Sequence, residues 1–182
     1  MKLNEGSLLR ALTDTFPRNG RLEWIGVRPQ RRAAIVELAE AEARVERGLT
    51  GDYRARSPAS RRQVTLIQHE HLAVVANLLG HATADPALAR RNLAVSGINV
   101  LALKDELFVI GDAVFQGTGV CAPCSKMEKY YGEGGYNALR GHGGITARVL
   151  VGGIIRRGDE VRRVAPDELA PPPTPPQRRG GE

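Results

Sequence analysis

Cysteine is nearly missing from this 182-residue chain, which contains two. Two cysteines cannot staple a domain of this size, so a disulfide scaffold is excluded. Aromatic residues are also sparse, at 4% of the chain. They do not alternate with basic residues along any strand-like run, so the stacking platform of a single-strand nucleic-acid binder is missing. No uncharged stretch reaches the roughly 18 residues that a membrane-spanning helix needs. The N-terminal MKLNEGSLLRALTDTF is broken by Asn4, Glu5 and Arg10 and has no long apolar run or small-residue cleavage site. These absences predict a soluble, cytoplasmic protein with no membrane partner.

Apolar residues make up 42% and charged residues 25%, enough for an ordinary core. Lys and Arg exceed Asp and Glu by 26 − 20 = 6, which favours an anionic ligand or partner. Much of that excess lies in Arg pairs rather than in a dense basic tail, so a small anionic cofactor competes with nucleic acid. Six of the eleven prolines fall between Pro166 and Pro176, where extended polyproline conformation offers little to a core. The expected organisation is a lead-in over 1–19, one domain over 20–165 and a Pro-rich tail over 166–182.

Within the domain, Leu22, Trp24, Ile25 and Val27 predict a strand stopped by Pro29. Residues 33–38 form a β-capable run followed by an Ala/Glu stretch that is equally compatible with helix. Residues 64–68 read as a strand. Leu72, Val75, Leu78 and Leu79 recur at helical spacing, with Gly80 as the stop. Asp85-Pro86 is a cap and first turn for a second short helix through Arg91. Residues 107–115 read as two strands joined at Gly111-Asp112, residues 145–150 as another, and residues 154–161 as a second strand, Gly-Asp, strand unit. Twelve of the 21 glycines lie between Gly111 and Gly158, which suits a small barrel that bends its strands sharply. The fold class expected is mainly β (α+β), a barrel with a few short helices.

The sharpest chemical signal is Cys121-Ala122-Pro123-Cys124, followed by Lys126. This spacing fits a redox dithiol, part of a zinc site, a lone reactive thiolate or two small buried residues. Cys121, Cys124 and His142 provide three zinc donors, but no second pair at finger spacing completes the set. Arg90-Arg91-Asn92-Leu93 offers guanidinium forks for phosphate and an amide for a heterocycle edge. Arg62, Lys126 and Arg148 are further cations. Gly48-Leu49-Thr50-Gly51-Asp52-Tyr53-Arg54 makes a tight turn that serves as either an anion nest or a plain corner. Gly141-His142-Gly143-Gly144 lets backbone approach a ligand, and His142 is a candidate proton donor. His69 and His71, two apart at a helix start, point to different faces and make a poor metal pair.

Taken in order, these pieces resemble the MOSC domain, the C-terminal part of molybdenum cofactor sulfurase, in its bacterial stand-alone form. The resemblance rests on Gly48-x-x-Gly51-Asp52 and on Arg62-Gln63-Val64-Thr65-Leu66-Ile67 with His71-Leu72. It continues through Arg90-Arg91-Asn92-Leu93 with Ser96-Gly97, then Ile110-Gly111-Asp112 and Gly119-x-Cys121-x-Pro123-Cys124. Gly143-Gly144-Ile145-x-Ala147-Arg148-Val149 and Gly158-Asp159 complete it. It implies a β-barrel that binds molybdenum cofactor (molybdopterin), with Cys124 as molybdenum ligand or sulfur carrier and Arg90 and Asn92 near the pterin.

The implied activity is a molybdenum-dependent oxidoreductase that reduces N-hydroxylated compounds, with an electron-donating reductase as partner. The alternative is a non-catalytic persulfide or cofactor carrier served by a cysteine desulfurase-type partner, and the second alternative is a zinc or nucleic-acid-binding module. The chain has no room for the sulfurase's pyridoxal-phosphate domain, so any pyridoxal phosphate belongs to that partner. Where eukaryotic relatives carry a basic residue before the closing Cys, this chain has Pro123. On this reading the site comprises Cys124 and His142 as catalytic residues, and Cys124 as metal ligand. Arg90, Arg91, Asn92, Arg62, Lys126, Arg148, Gly51 and Asp52 then bind the cofactor.

Overall fold

The computed structural model describes residues 8–53 and 60–169. In chain order the first elements are α1 (Leu8–Asp14), β1 (Gly20–Val27), β2 (Val36–Leu38), β3 (Glu40–Arg44), β4 (Gly48–Leu49) and β5 (Val64–Gln68). Next come α2 (His69–Leu79), α3 (Pro86–Ala89), β6 (Leu93–Ser96), β7 (Leu107–Ile110) and β8 (Ala113–Val120). The chain continues with α4 (Lys126–Tyr131), α5 (Gly135–Ala138), β9 (Ile145–Val151), β10 (Gly153–Arg156) and β11 (Glu160–Val164). Seven strands close into a barrel in the order β11-β7-β8-β9-β5-β6-β1, and β1 pairs back onto β11 through Gly20 and Val161. The short β2 adds onto β1, and β10-β3-β4 form a separate three-stranded sheet. The Ala/Glu stretch is therefore strand, not helix, because β3 is paired on both sides.

Alternation decides what fills the barrel. Leu22, Leu66, Leu93, Phe108, Phe115, Ile145 and Val149 point inward and are buried together. Phe108 and Phe115 stand opposite each other across β7 and β8, with ring centroids 5.5 Å apart. The interior is a packed core with no room for a large ligand. On the outside, Trp24, Ile67 and Ala94 lie under Leu72, Val75, Met127, Tyr131 and Leu139 of the helical layer. Strands β1, β5 and β6 are thus covered on both faces, which explains the adjacent apolar pairs Trp24-Ile25 and Leu66-Ile67 and the run Leu93 to Val95.

The parallel pair β5 and β6 needs a crossover, and α2 and α3 provide it. Gly80 ends α2 in the left-handed conformation, with φ of 68°. The Asp85 side chain caps α3 by accepting from the Ala87 amide. That helix stops at Ala89, short of Arg91, because Arg90 is left-handed.

Strand β1 begins at Gly20. Before it, α1 buries no residue, and Asp14 bonds Arg163 at 3.0 Å. Residues 166–169 form one turn of 3₁₀ helix, in which Glu168 accepts from the Ala165 amide and from Arg162. The rest of the expected tail, the first seven residues and Arg54 lie outside the described residues. No helix among the described residues is long and apolar enough to cross a membrane.

The turn between α4 and α5 hangs on one carboxylate. Glu128 accepts from the amides of Tyr136 and Gly134, and these bonds hold its carboxyl below the ordinary value. Its folded pKa is depressed, so the stability it contributes is present above the unfolded value of about 4.5 and lost as pH falls further. Substituting Glu128→Gln should therefore weaken amide protection at Gly134 and Tyr136 at neutral pH and flatten the acid limb of a melting-temperature profile. An unchanged acid limb would refute this role.

Candidate functional site

One end of the barrel gathers the expected chemistry. The end of β8 pairs with the start of β9 through Val120 and Ile145, and the start of β9 pairs with β5 through Ile145 and Leu66. Residues after β8 (Cys121 to Cys124), before β9 (His142 to Gly144) and after β5 (His69 to His71) therefore share a rim. The Cys121 amide donates to the Gly144 carbonyl at 2.8 Å, joining two of these segments. Glycine is required there: a Cβ on Gly144 would lie 1.8 Å from the Leu66 carbonyl oxygen, and φ is 78°.

The two cysteines have different environments. Cys121 is buried and Cys124 exposed, and neither is in a disulfide. Strand β8 ends at Val120 and Cys121 directly after it is buried, whereas Pro123 interrupts regular structure and Cys124 stands on the turn into α4. The Cys124 carbonyl accepts from the Met127 amide. Lys126 is exposed on the first turn of α4.

Arg90, Arg91 and Asn92 serve different ends. Half-buried Arg90 donates through Nη1 to the Tyr130 hydroxyl at 2.9 Å and stacks over that ring at 4.9 Å. Its Nη1 also reaches the Ala33 carbonyl at 3.5 Å. Arg91 is 6% exposed, and each guanidinium nitrogen donates to a backbone carbonyl. Nε bonds Gly143 at 2.7 Å, Nη1 Ala89 at 2.8 Å and Nη2 Cys121 at 2.9 Å.

Asn92, 3% exposed, is saturated. Its Oδ1 accepts from the amide and hydroxyl of Thr65, and its Nδ2 donates to the Gly26 carbonyl and to Asp52. The amide expected to read a pterin is spent inside the protein.

Asp52 is buried as well and also accepts from the Arg28 amide, with the Arg28 Nε at 3.5 Å. Gly51, with φ of 87°, turns the chain so that Asp52 can point inward. The Gly48 to Asp52 motif is thus a buried corner tied to Asn92. Arg62 is exposed on the segment before β5. Arg148 donates to Gln116 on the outer face of β8 and β9. Thr118 and Thr146, at 2.9 Å, share that face.

Sequence reasoning gave no role of their own to Arg28 and Thr65, since a lone Arg before Pro29 carries no motif signal and Thr65 stands in its motif only as one residue of a strand-like run. It also missed the partner of His142. His71 and His142 meet edge to face, with ring centroids 4.7 Å apart. Nδ1 of His142 is buried without a hydrogen-bond partner among the described residues. Burial disfavours the charged form of His71, and His142 beside it adds to this, so its pKa lies below the ordinary 6.5.

No group of three or more His, Cys, Asp or Glu among the described residues is placed to hold a metal ion. A shallow depression of about 600 Å³ lies elsewhere, on the three-stranded sheet. Glu42, Arg44, Arg47 and Gly153 line it, with none of the expected site residues.

Two outcomes test this geometry. Gly144→Ala should cost roughly 2–4 kcal/mol, because it combines a left-handed backbone with a clash against a carbonyl; a denaturant midpoint within error of the parent would contradict it. For His71, the unfolded chain takes up a proton before the folded one as pH falls. Stability should therefore drop below about pH 6.5, and His71→Gln should flatten the melting-temperature profile between about pH 7 and 5. Equal slopes in the two proteins would exclude the effect.

Comparison with known proteins follows the same outline. No curated protein matches the chain. The YuaD protein from Bacillus subtilis superposes with a TM-score of 0.68 at 20% identity, covering 81% of this chain and 97% of that one. YiiM from Geobacillus stearothermophilus gives 0.66 at 17% identity, over 80% of this chain and 75% of that one. YiiM from Escherichia coli gives 0.61 at 18% identity, over 80% and 70%. These likenesses establish the shared fold, and the MOSC domain matches residues 40–162, a span that runs from β3 to β11 and takes in the whole rim. The chain belongs to the MOSC domain family, which is associated with molybdenum cofactor binding.

Proposed function

We propose that the protein holds molybdenum cofactor at the barrel rim and uses it to reduce N-hydroxylated compounds, with Cys124 as the thiolate ligand. The observation that carries this reading is the division of labour in the Cys pair: Cys121 is packed away and Cys124 is presented to solvent. A soft metal favours thiolate ligation, and only an accessible sulfur can provide it. The surroundings fit a large anionic group. Of the Arg90 nitrogens, only Nη1 has a partner among the described residues, leaving Nε and Nη2 for a phosphate oxygen. Lys126 and Arg62 add exposed positive charge, and Arg148 lies on the adjoining sheet face.

The cofactor, when bound, supplies a metal centre able to pass an electron pair to an N–O bond. Cys124 anchors that group. Arg90 neutralises its phosphate. Reduction of a hydroxylamine to an amine and water consumes two electrons and two protons, and His142 on the rim is the side chain suited to hold and release one of the protons. A separate reductase delivers the electrons. Arg91, Asn92, Gly51 and Asp52 shape the wall and take no direct part in ligand contact.

A second reading keeps the same thiol. An exposed Cys on a turn also suits a persulfide carrier that receives sulfur from a cysteine desulfurase-type partner, which would own any pyridoxal phosphate. A zinc module gains no support, because no suitable ligand cluster exists among the described residues. Metal analysis after expression in a cofactor-competent host separates these readings. Near-stoichiometric molybdenum supports the first, and sulfane sulfur without metal supports the second. Cys124→Ser should abolish molybdenum retention, whereas Cys121→Ser should keep most of it. Equal loss in both variants would sink the assignment of Cys124 as sole ligand.

A further inference from the structure

Arg91 sits beneath the two loops that carry Cys124 and His142. It is buried, yet no carboxylate among the described residues lies within ion-pair distance of it. Its guanidinium instead fans across three carbonyls from three chain segments: Ala89 at the end of α3, Cys121 after β8 and Gly143 before β9. The Gly143 position has been kept free of a side chain at this point. A Cβ there would lie 2.1 Å from the Cys121 carbonyl oxygen and 3.2 Å from Nη2 of Arg91.

The clasp is doubled by the Cys121 amide, which donates to the Gly144 carbonyl. One residue from Gly143, the His142 ring rests against His71. A planar fork with donors on three nitrogens can meet three divergent acceptors at once, and a Lys ammonium on its flexible stem cannot reproduce that arrangement. Buried carbonyls left without donors are costly, so the geometry here depends on this one side chain.

We propose that Arg91 is a positioning residue. It staples the Cys121–Cys124 turn to the His142–Gly144 loop and so sets where the exposed thiol stands relative to the His71–His142 pair. This builds on the reading of Cys124 as the working thiol, but its consequences are visible in the protein without cofactor.

The experiment uses the full chain without cofactor, at 25 °C and neutral pH. Iodoacetamide labelling of each cysteine is followed by mass spectrometry, and the His71–His142 contact is followed by NMR. In the parent, Cys124 should label and Cys121 should stay protected. Arg91→Met should raise Cys121 labelling and amide exchange at Cys121 roughly tenfold or more, and should weaken the imidazole contact. Arg91→Lys should fail to restore the parent pattern. Phe108→Leu, in the barrel core far from the rim, should lower the melting temperature and still label only Cys124. That variant separates positioning from stability.

Should Arg91→Met not fold, Arg91→Lys carries the test alone, through Cys121 labelling and the imidazole contact. The proposal is overturned if Cys121 stays protected in the folded Arg91 variants, or if Lys restores the parent pattern, which would make charge the operative property. Molybdenum content of the parent tests the cofactor reading separately, so failure of either idea is recognisable without the other.

Discussion

Where a barrel strand leaves the sheet to pass under a layer of helices, its backbone loses both its ladder partners and its access to water. Every carbonyl and amide in that seam still needs a partner. In this protein the seam includes the carbonyls of Gly26, Ala89, Cys121 and Gly143, and two consecutive side chains, Arg91 and Asn92, satisfy all four. They can do so because they precede β6, which runs parallel to β5, and therefore enter the barrel from the end where the crossover returns. The helical layer, the turn that displays Cys124 and the buried Asp52 corner all lean on this pair.

The same constraint supports the proposed place of the chemistry. The barrel interior is filled by aliphatic side chains and two stacked phenyl rings, so it cannot admit a pterin-sized molecule. What remains is the rim, where strands end, glycine lets backbone segments approach, and cations face outward. Arg90 and Arg91 are neighbours in sequence with opposite fates, one turned toward the surface and one sealed beneath the loops. The left-handed backbone at Arg90 separates them.

Much of this was legible in the residues. Both Gly-Asp turns are present, one closing the β7–β8 hairpin and the other leading from β10 into β11 of the neighbouring sheet, and the leucine and valine spacing of α2 and its stop at Gly80 were plain. The barrel itself was readable from the glycine density and the resemblance. What could not be read was the destination of polar side chains. Asn92 looked like a recognition amide because an Asn after two Arg residues gives no hint that Thr65 and Asp52 will saturate it. The meeting of His71 and His142 was equally hidden, since 71 residues separate them and only the pairing of β5 with β9 brings their loops together. Strand β6 went unrecognised because three apolar residues and a serine after a short helix carry no period of their own.

The pairing of Gly20 with Val161 has a consequence for how a domain of this kind can be joined to other chains. The first and last strands of the barrel lie side by side, so the points where the polypeptide enters and leaves the domain are neighbours in space. A fold with adjoining entrance and exit behaves as a cassette: it can be inserted into a loop of another protein, or joined at either side to another domain, without stretching its barrel. The rim with Cys124 is assembled from the chain between those two strands. A host protein could therefore carry the thiol to a new partner as a finished unit.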